Sequence, residues 1–130
     1  MSGTGFLAVG MGAALGAWLR WWLGVMLNAI NPALPYGTLA ANLIGGYLIG
    51  VAVAVFSQQG ALPVELRLFV ITGFLGGLTT FSSFSAEAVG LLMQSRFGWA
   101  SLLIVSHLAG SIAMTLLGIF SVRLVTNAVS

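Results

Sequence analysis

The chain has 130 residues and carries four arginines and two glutamates with no lysine, so charged side chains make up 5% of it, where a soluble domain has about a quarter. Hydrophobic residues account for 59%, far more than a water-exposed surface can accommodate, which excludes a soluble monomer. The formal charge of +2 comes from scattered arginines without a basic patch, and there is no cysteine, which excludes a nucleic-acid footprint, disulfides and thiol chemistry.

The six charges, Arg20, Glu65, Arg67, Glu87, Arg96 and Arg123, leave uncharged runs at 1–19, 21–64, 68–86 and 97–122. A helix spanning a bilayer needs about 20 such residues. The second run is too long for one helix and is punctuated by Asn28, Asn31, Pro32, Pro35 and Gly37, which end one span and begin another. The sequence therefore predicts an all-α integral membrane protein with four transmembrane helices in a single domain over 1–130, at about 4–27, 38–57, 65–94 and 98–125. The start, Met1-Ser2-Gly3-Thr4-Gly5, lacks the positive region of a cleaved signal, so the first span is read as retained.

In the first span, Arg20 sits among Trp18, Trp21 and Trp22 and reads as an interfacial anchor closing the helix. It also supplies positive potential to any vestibule there. Glycine recurs at helical spacing along the chain, as in Gly12 with Gly16 and Gly46 with Gly50, and Ser106 with Gly110 continues the pattern. Such pairs let helix backbones approach closely, which accounts for most of them. In the second span Asn42 shares a helical face with Gly45, Gly46 and Ile49. Its amide either bonds across helices or donates to a passing anion.

The third span contains Gly73-Phe74-Leu75-Gly76-Gly77-Leu78-Thr79-Thr80-Phe81-Ser82-Ser83-Phe84-Ser85, with three glycines and five hydroxyls in thirteen residues. This predicts a break between Gly76 and Thr80, freeing carbonyls that must line a cavity or bind something. Carbonyl oxygens suit a hard cation. Beyond the break, Phe81 and Phe84 share a face and Ser82 and Ser85 an adjacent one. Phenylalanines in a membrane helix ordinarily face core or lipid, but a ring edge is positive and, interleaved with O–H donors, supports an anion.

In the fourth span His107, Ser111 and Thr115 form one polar stripe at steps of four. Alone, the histidine suits an interhelical hydrogen bond; in register with hydroxyls it extends an ion rail. Glu87, without a second membrane carboxylate, reads as a structural acceptor. Catalytic triads, paired carboxylates, metal-ligand spacings and phosphate loops are missing from the sequence, which points away from an enzyme.

Orientation should follow the arginines, but Arg67 and Arg123 on one side balance Arg20 and Arg96 on the other. The tie fits a chain that inserts both ways up and pairs as an antiparallel homodimer; the alternative is one orientation imposed by insertion context. Four short spans enclose little aqueous space, so a transport route would need an oligomer interface.

Gly37-Thr38-Leu39-Ala40-Ala41-Asn42-Leu43, followed by Thr72-Gly73-Phe74-Leu75-Gly76-Gly77-Leu78-Thr79-Thr80-Phe81-Ser82-Ser83-Phe84-Ser85 and Glu87, resembles the Fluc, or CrcB-type, fluoride ion channels. Gly16-Ala17-Trp18-Leu19-Arg20-Trp21 and Gly110-Ser111 with Met114-Thr115 extend the likeness over almost the whole chain. The resemblance implies an antiparallel, dual-topology homodimer with two fluoride pores, passively exporting toxic cytoplasmic fluoride across a bacterial inner membrane. It implies that Phe81 and Phe84 are ring-edge ligands, Asn42 the amide donor, and Ser111, Thr115 and His107 the polar track, with Ser82 and Ser83 adding hydroxyls. Ser83 stands where threonine is common in the family. Arg20 and Thr38 would border the vestibule, and the Gly76 and Thr79 carbonyls of both subunits would hold a central sodium ion. The partners implied are fluoride, membrane lipid and a second copy of the chain, with no nucleic acid and no organic cofactor.

Two rivals stand beside that reading. A proton-coupled exporter of the small multidrug resistance type has the same size and span count, but needs a carboxylate in its first span, where this sequence has none. A non-transporting subunit of a larger complex gives no reason for the Phe/Ser segment.

Overall fold

Helix α1 (Gly3–Leu27) opens the computed structural model, which describes residues 1–130. Ser2 caps it, its hydroxyl accepting the Gly5 amide at 3.0 Å, one of the amides a helix start leaves without a partner. A short 3-10 turn, Asn28–Ile30, ends the span. Here the polar cluster replaces helical hydrogen bonds with side-chain ones. Asn31 Oδ1 accepts the amides of Ala33 and Leu34 at 3.1 and 3.2 Å. Asn28 Oδ1 accepts the amide of Thr38 at 3.2 Å and so ties the end of α1 to the start of α2 (Tyr36–Gln58).

The third span is assembled from pieces: α3 (Val64–Arg67), a π-helical segment Leu68–Leu75, α4 (Gly76–Leu78), and α5 (Phe81–Met93). Its break is narrower than the sequence suggests. Gly76 and Gly77 remain helical, and only Thr79 (φ −82°, ψ 156°) and Thr80 (φ −150°, ψ 115°) are extended. The break falls there because the Thr80 hydroxyl accepts the Ser83 amide at 3.0 Å and starts a new helix. The glycines serve packing instead. The loop after α5 turns through Ser95, whose φ of 56° is left-handed, and Arg96 donates its amide to Leu91 at 2.9 Å.

The last helix, α6 (Phe97–Val129), has 33 residues and is therefore about 50 Å long. That exceeds a hydrocarbon core of about 30 Å, and the helix runs past the expected end at 125. Four segments, Gly3–Ile30, Tyr36–Gln58, Val64–Met93 and Phe97–Val129, are long and apolar enough to cross a membrane.

Helix α1 packs on the π-helical segment and α4, α2 runs along α6, and α5 turns away to meet α6. The third span thus changes partners at its break. Only 25 of the 130 residues are buried, so contact between backbones, rather than a thick side-chain core, joins the helices. A Cβ on Gly73 would stand 2.8 Å from the Val9 carbonyl oxygen and 3.1 Å from Gly12 Cα, and one on Gly46 would stand 2.9 Å from the Ser111 carbonyl oxygen. Gly12, Gly16 and Gly77 on one seam, and Gly50 and Gly118 on the other, lie closer still to backbone. Phe6, Met11, Trp18, Trp21, Ile112 and Leu116 point outward, as a bilayer allows and water does not.

Arg20 corrects one expectation. Helix α1 continues to Leu27, about two turns beyond Arg20, so this residue does not close the span. Its half-buried side chain turns inward, which leaves Arg67 and Arg123 facing Arg96 alone in the balance of end charges.

Candidate functional site

The break at Thr79 and Thr80 leaves backbone groups without helical partners inside the membrane-spanning region, where each costs several kcal/mol if bare. Two side chains from other helices meet that cost. Arg20 Nε donates to the Gly77 carbonyl at 3.1 Å. Asn42 pairs with Thr80 at two points, its Oδ1 accepting the Thr80 amide at 2.7 Å and its Nδ2 donating to the Thr80 carbonyl at 3.0 Å. By contrast, no side chain donates to the carbonyls of Gly76 or Thr79.

Beside the break lies a cavity of about 430 Å³, lined by Asn42, Gly45, Gly46 and Ile49 from α2, by Gly76, Thr79, Thr80, Phe81 and Phe84, and by His107, Ser111 and Thr115 from α6. The sequence placed the first four on one face, and that face borders the cavity. The Phe81 and Phe84 rings meet edge-on, with centroids 5.4 Å apart at 68°. Phe84 also packs on the His107 ring at 4.8 Å. The two phenylalanines differ in setting: Phe84 is 7% exposed and belongs to the core with Leu91 and Leu103, whereas Phe81 is 73% exposed.

The polar groups around this cavity are not equally free. Asn42 Nδ2 also lies 2.9 Å from His107 Nδ1, so the amide read as a donor to a passing anion is engaged within the protein. Thr115 Oγ1 donates to the backbone, with the Gly46 carbonyl at 2.9 Å and that of Ser111 at 3.0 Å. The Thr79 hydroxyl donates to Leu75 at 2.8 Å. His107 is buried, and its Nε2 has no partner. The lining contains no carboxylate.

A second cavity, of about 560 Å³, gathers Arg20, Trp21, Asn28, Thr38, Ser83 and Glu87. It brings together Arg20 and Thr38, the residues expected at a vestibule, and adds Ser83, which the sequence grouped with the phenylalanines. Ser82 lines neither cavity and lies 3.3 Å from the Thr80 hydroxyl. Glu87 is the structural acceptor that the sequence suggests, since Thr38 Oγ1 donates to its Oε2 at 2.6 Å. Its Oε1 is buried without a partner.

Sequence reasoning missed four features. The Thr80-x-x-Ser83 cap could have been read from spacing alone. The Arg20–Gly77 and Thr38–Glu87 contacts join residues far apart in sequence, and no local signal announces them. The π-helical segment has none either.

Comparison with known proteins supplies the family. Residues 7–119 match the family described as "CrcB-like protein, Camphor Resistance (CrcB)". The chain is 65% identical over 123 residues to the fluoride-specific ion channel FluC of Ralstonia pickettii (strain 12J), which covers 95% of this chain and 98% of that protein. Identity to FluC of Cupriavidus pinatubonensis (strain JMP 134 / LMG 1197) is 62% over 124 residues, again 95% and 98% of the two chains. FluC of Pseudomonas paraeruginosa (strain DSM 24068 / PA7) is 59% identical over 117 residues, 90% of this chain and 92% of that one. With a helical bundle broken at two threonines and a cavity of hydroxyls and ring edges beside the break, this chain belongs to the CrcB family.

Proposed function

We propose that this chain is a fluoride-selective channel, and that the cavity beside the break is part of its pore. The observation that carries the proposal is the lining: hydroxyls, an imidazole and two phenyl rings, with no carboxylate. A small, strongly hydrated anion needs replacement donors closely spaced along its path, and neutral donors supply them without trapping it. Relatives named fluoride-specific ion channels give the anion its identity.

The finer reading follows the resemblance. Phe81 and Phe84 present ring edges to fluoride, Ser111, Thr115 and His107 form the track, and Arg20 and Thr38 border an aqueous vestibule in the second cavity. Phe81 is bare on the single chain, which suits a wall completed by a second copy. An antiparallel homodimer then carries two pores and lets accumulated fluoride leave a bacterial cytoplasm passively across the inner membrane. The Gly76 and Thr79 carbonyls, which no side chain satisfies, fit a sodium ion shared between the two copies, with four oxygens supplied in all; the ion would neutralise carbonyl dipoles at the interface.

The test is fluoride release from liposomes containing the purified chain, read by an electrode beside chloride-loaded vesicles. Rapid fluoride release without chloride release is the expected result, and Glu87→Gln should still conduct passively because its amide oxygen still accepts from Thr38. Release that requires a proton gradient and disappears in Glu87→Gln would instead favour a proton-coupled exporter. No flux from folded protein would end the channel reading.

A further inference from the structure

A hydroxyl on a membrane helix ordinarily bonds the carbonyl one turn back, because hydrocarbon offers it no other partner. Thr79, Ser101, Ser106, Thr115 and Ser121 all do so, at 2.7 to 3.0 Å. Thr72 and Ser85 are different. Both lie in the third span, yet their hydroxyls have no partner in the chain, line neither cavity and belong to exposed residues.

Thr72 precedes Gly76 by four residues and Ser85 follows Phe81 by four, so each pair shares a helical side. All four residues are exposed. On the other sides of the span, Gly73 and Gly77 lie against the backbone of α1, and Phe84, Ala88 and Leu91 belong to the core shared with α6. Uncovered residues thus run from the first half of the span, past the break, into α5.

The spacing of the two hydroxyls about the break points to the missing partner. Thr72 stands seven residues before Thr79 and Ser85 six after it, each about 10 Å away along the span. A two-fold axis in the membrane plane, passing through the break, turns a second copy end for end. The α5 half of that copy then lies at the depth of the first half of this span, which brings Ser85 of the partner subunit level with Thr72. The same axis generates the reverse contact.

We propose that the Thr72 hydroxyl is hydrogen-bonded to Ser85 of the partner subunit, twice in each antiparallel pair, once on either side of the break. Either hydroxyl can donate. The proposal rests on the antiparallel homodimer reading and deepens it by naming what sets the register of the two crossing spans. Apolar surfaces do not set it, since lipid tails are as apolar as they are. A slip of one turn would leave all four hydroxyls bare.

The chain has no cysteine, so introduced thiols report alone. Hydroxyls in contact hold their Cα atoms near the spacing that a disulfide bridges. A chain carrying both Thr72→Cys and Ser85→Cys, oxidised in liposomes, should run as a covalent dimer on a denaturing gel, and coexpressed single variants should link in part. Either single variant alone should not link. In subunit-exchange measurements Thr72→Val and Ser85→Ala should each raise the dimer dissociation constant by about eightfold, the scale of two interhelical hydrogen bonds in a membrane. The double variant should lose no more than either one, because both changes remove the same bonds. Full additivity would overturn the bond in favour of two separate packing roles. Protein that is dimeric by light scattering but links in no thiol variant overturns the inference and leaves the homodimer reading standing. Linking of a single variant like with like, or a monomer, overturns both.

Discussion

The two halves of the third span meet at Thr79 and Thr80 but are held in different ways. The first, from Val64 to Leu78, lies against α1 through Gly12, Gly16, Gly73 and Gly77, where backbone touches backbone and a side chain has no room. The second, α5, turns to α6 and packs through side chains, with Phe84, Ala88 and Leu91 against Ala100 and Leu103. The first half is a fitted joint that sets where the break falls. The second carries the rings that face the cavity, and it tolerates exposure that the first cannot. Rigid placement and chemical presentation are thus assigned to opposite sides of two residues, and Arg20 and Asn42 tie the freed carbonyls of Gly77 and Thr80 to the neighbouring helices.

The largest expected effect breaks the joint. A Cβ at Gly16 would drive into the backbone of Phe74 and Leu78, and backbone cannot move aside as a side-chain tip can. Gly16→Val should therefore cost upwards of about 3 kcal/mol, beyond ordinary overpacking, and abolish folded protein in a detergent size-exclusion profile. Gly10→Val is the control, because a Cβ at Gly10 meets nothing within 4 Å; it should stay within about 0.5 kcal/mol of the native chain. Equal loss in both variants would refute the fitted joint.

A second substitution separates presentation from packing. Phe81 is 73% exposed and Phe84 7%, so Phe81→Ile should leave thermal stability nearly unchanged yet lower fluoride flux by about tenfold, as expected for one lost ion contact. Phe84→Ile should lower flux similarly and also destabilise the chain, by up to about 1.5 kcal/mol for a swap that roughly keeps volume. If Phe81→Ile loses stability but keeps flux, the exposed ring is a packing element and the comparison reverses.

These differences explain how much of the molecule was legible. Four spans, the loop at Asn28 to Gly37 and the break all follow from charge spacing and from residues with strong backbone preferences, so each was readable locally. The common face of Asn42, Gly45, Gly46 and Ile49 followed from helical periodicity. Arg20 reads as an anchor closing the helix because tryptophan neighbours mark an interface by composition, while the partner of its side chain, Gly77, lies 57 residues away. Asn42 lies on the cavity-bordering face, but a sequence shows which donors a side chain owns and not which are already spent. The break reads wider in the sequence than it is, because glycine signals both flexibility and close packing, and only the α1 backbone against Gly77 tells the two apart.

The boundary itself offers a smaller test. Thr80 caps α5 through its hydroxyl, which accepts the Ser83 amide at 3.0 Å. Thr80→Val keeps the shape and removes the acceptor, and should cost about 1 kcal/mol. Thr80→Ser should retain the cap. In its pair with the Asn42 side chain Thr80 uses only its backbone atoms, so the valine variant should leave that pair in place and lose stability more than flux.

The far end of the second half carries the smallest effect and the opposite sign. Ser95 has a φ of 56° in the exposed turn after α5, where Arg96 donates its amide back to Leu91. A left-handed conformation costs a residue with a side chain about 1 kcal/mol, and glycine adopts it without that strain. Ser95→Gly should therefore raise the unfolding midpoint slightly, because relieved strain outweighs the added freedom of glycine in the unfolded chain. Flux should not change, since Ser95 lines neither cavity. A fall in flux with unchanged stability would mean that the end of α5 controls where its rings sit, and would extend the presenting half of the span to its last turn.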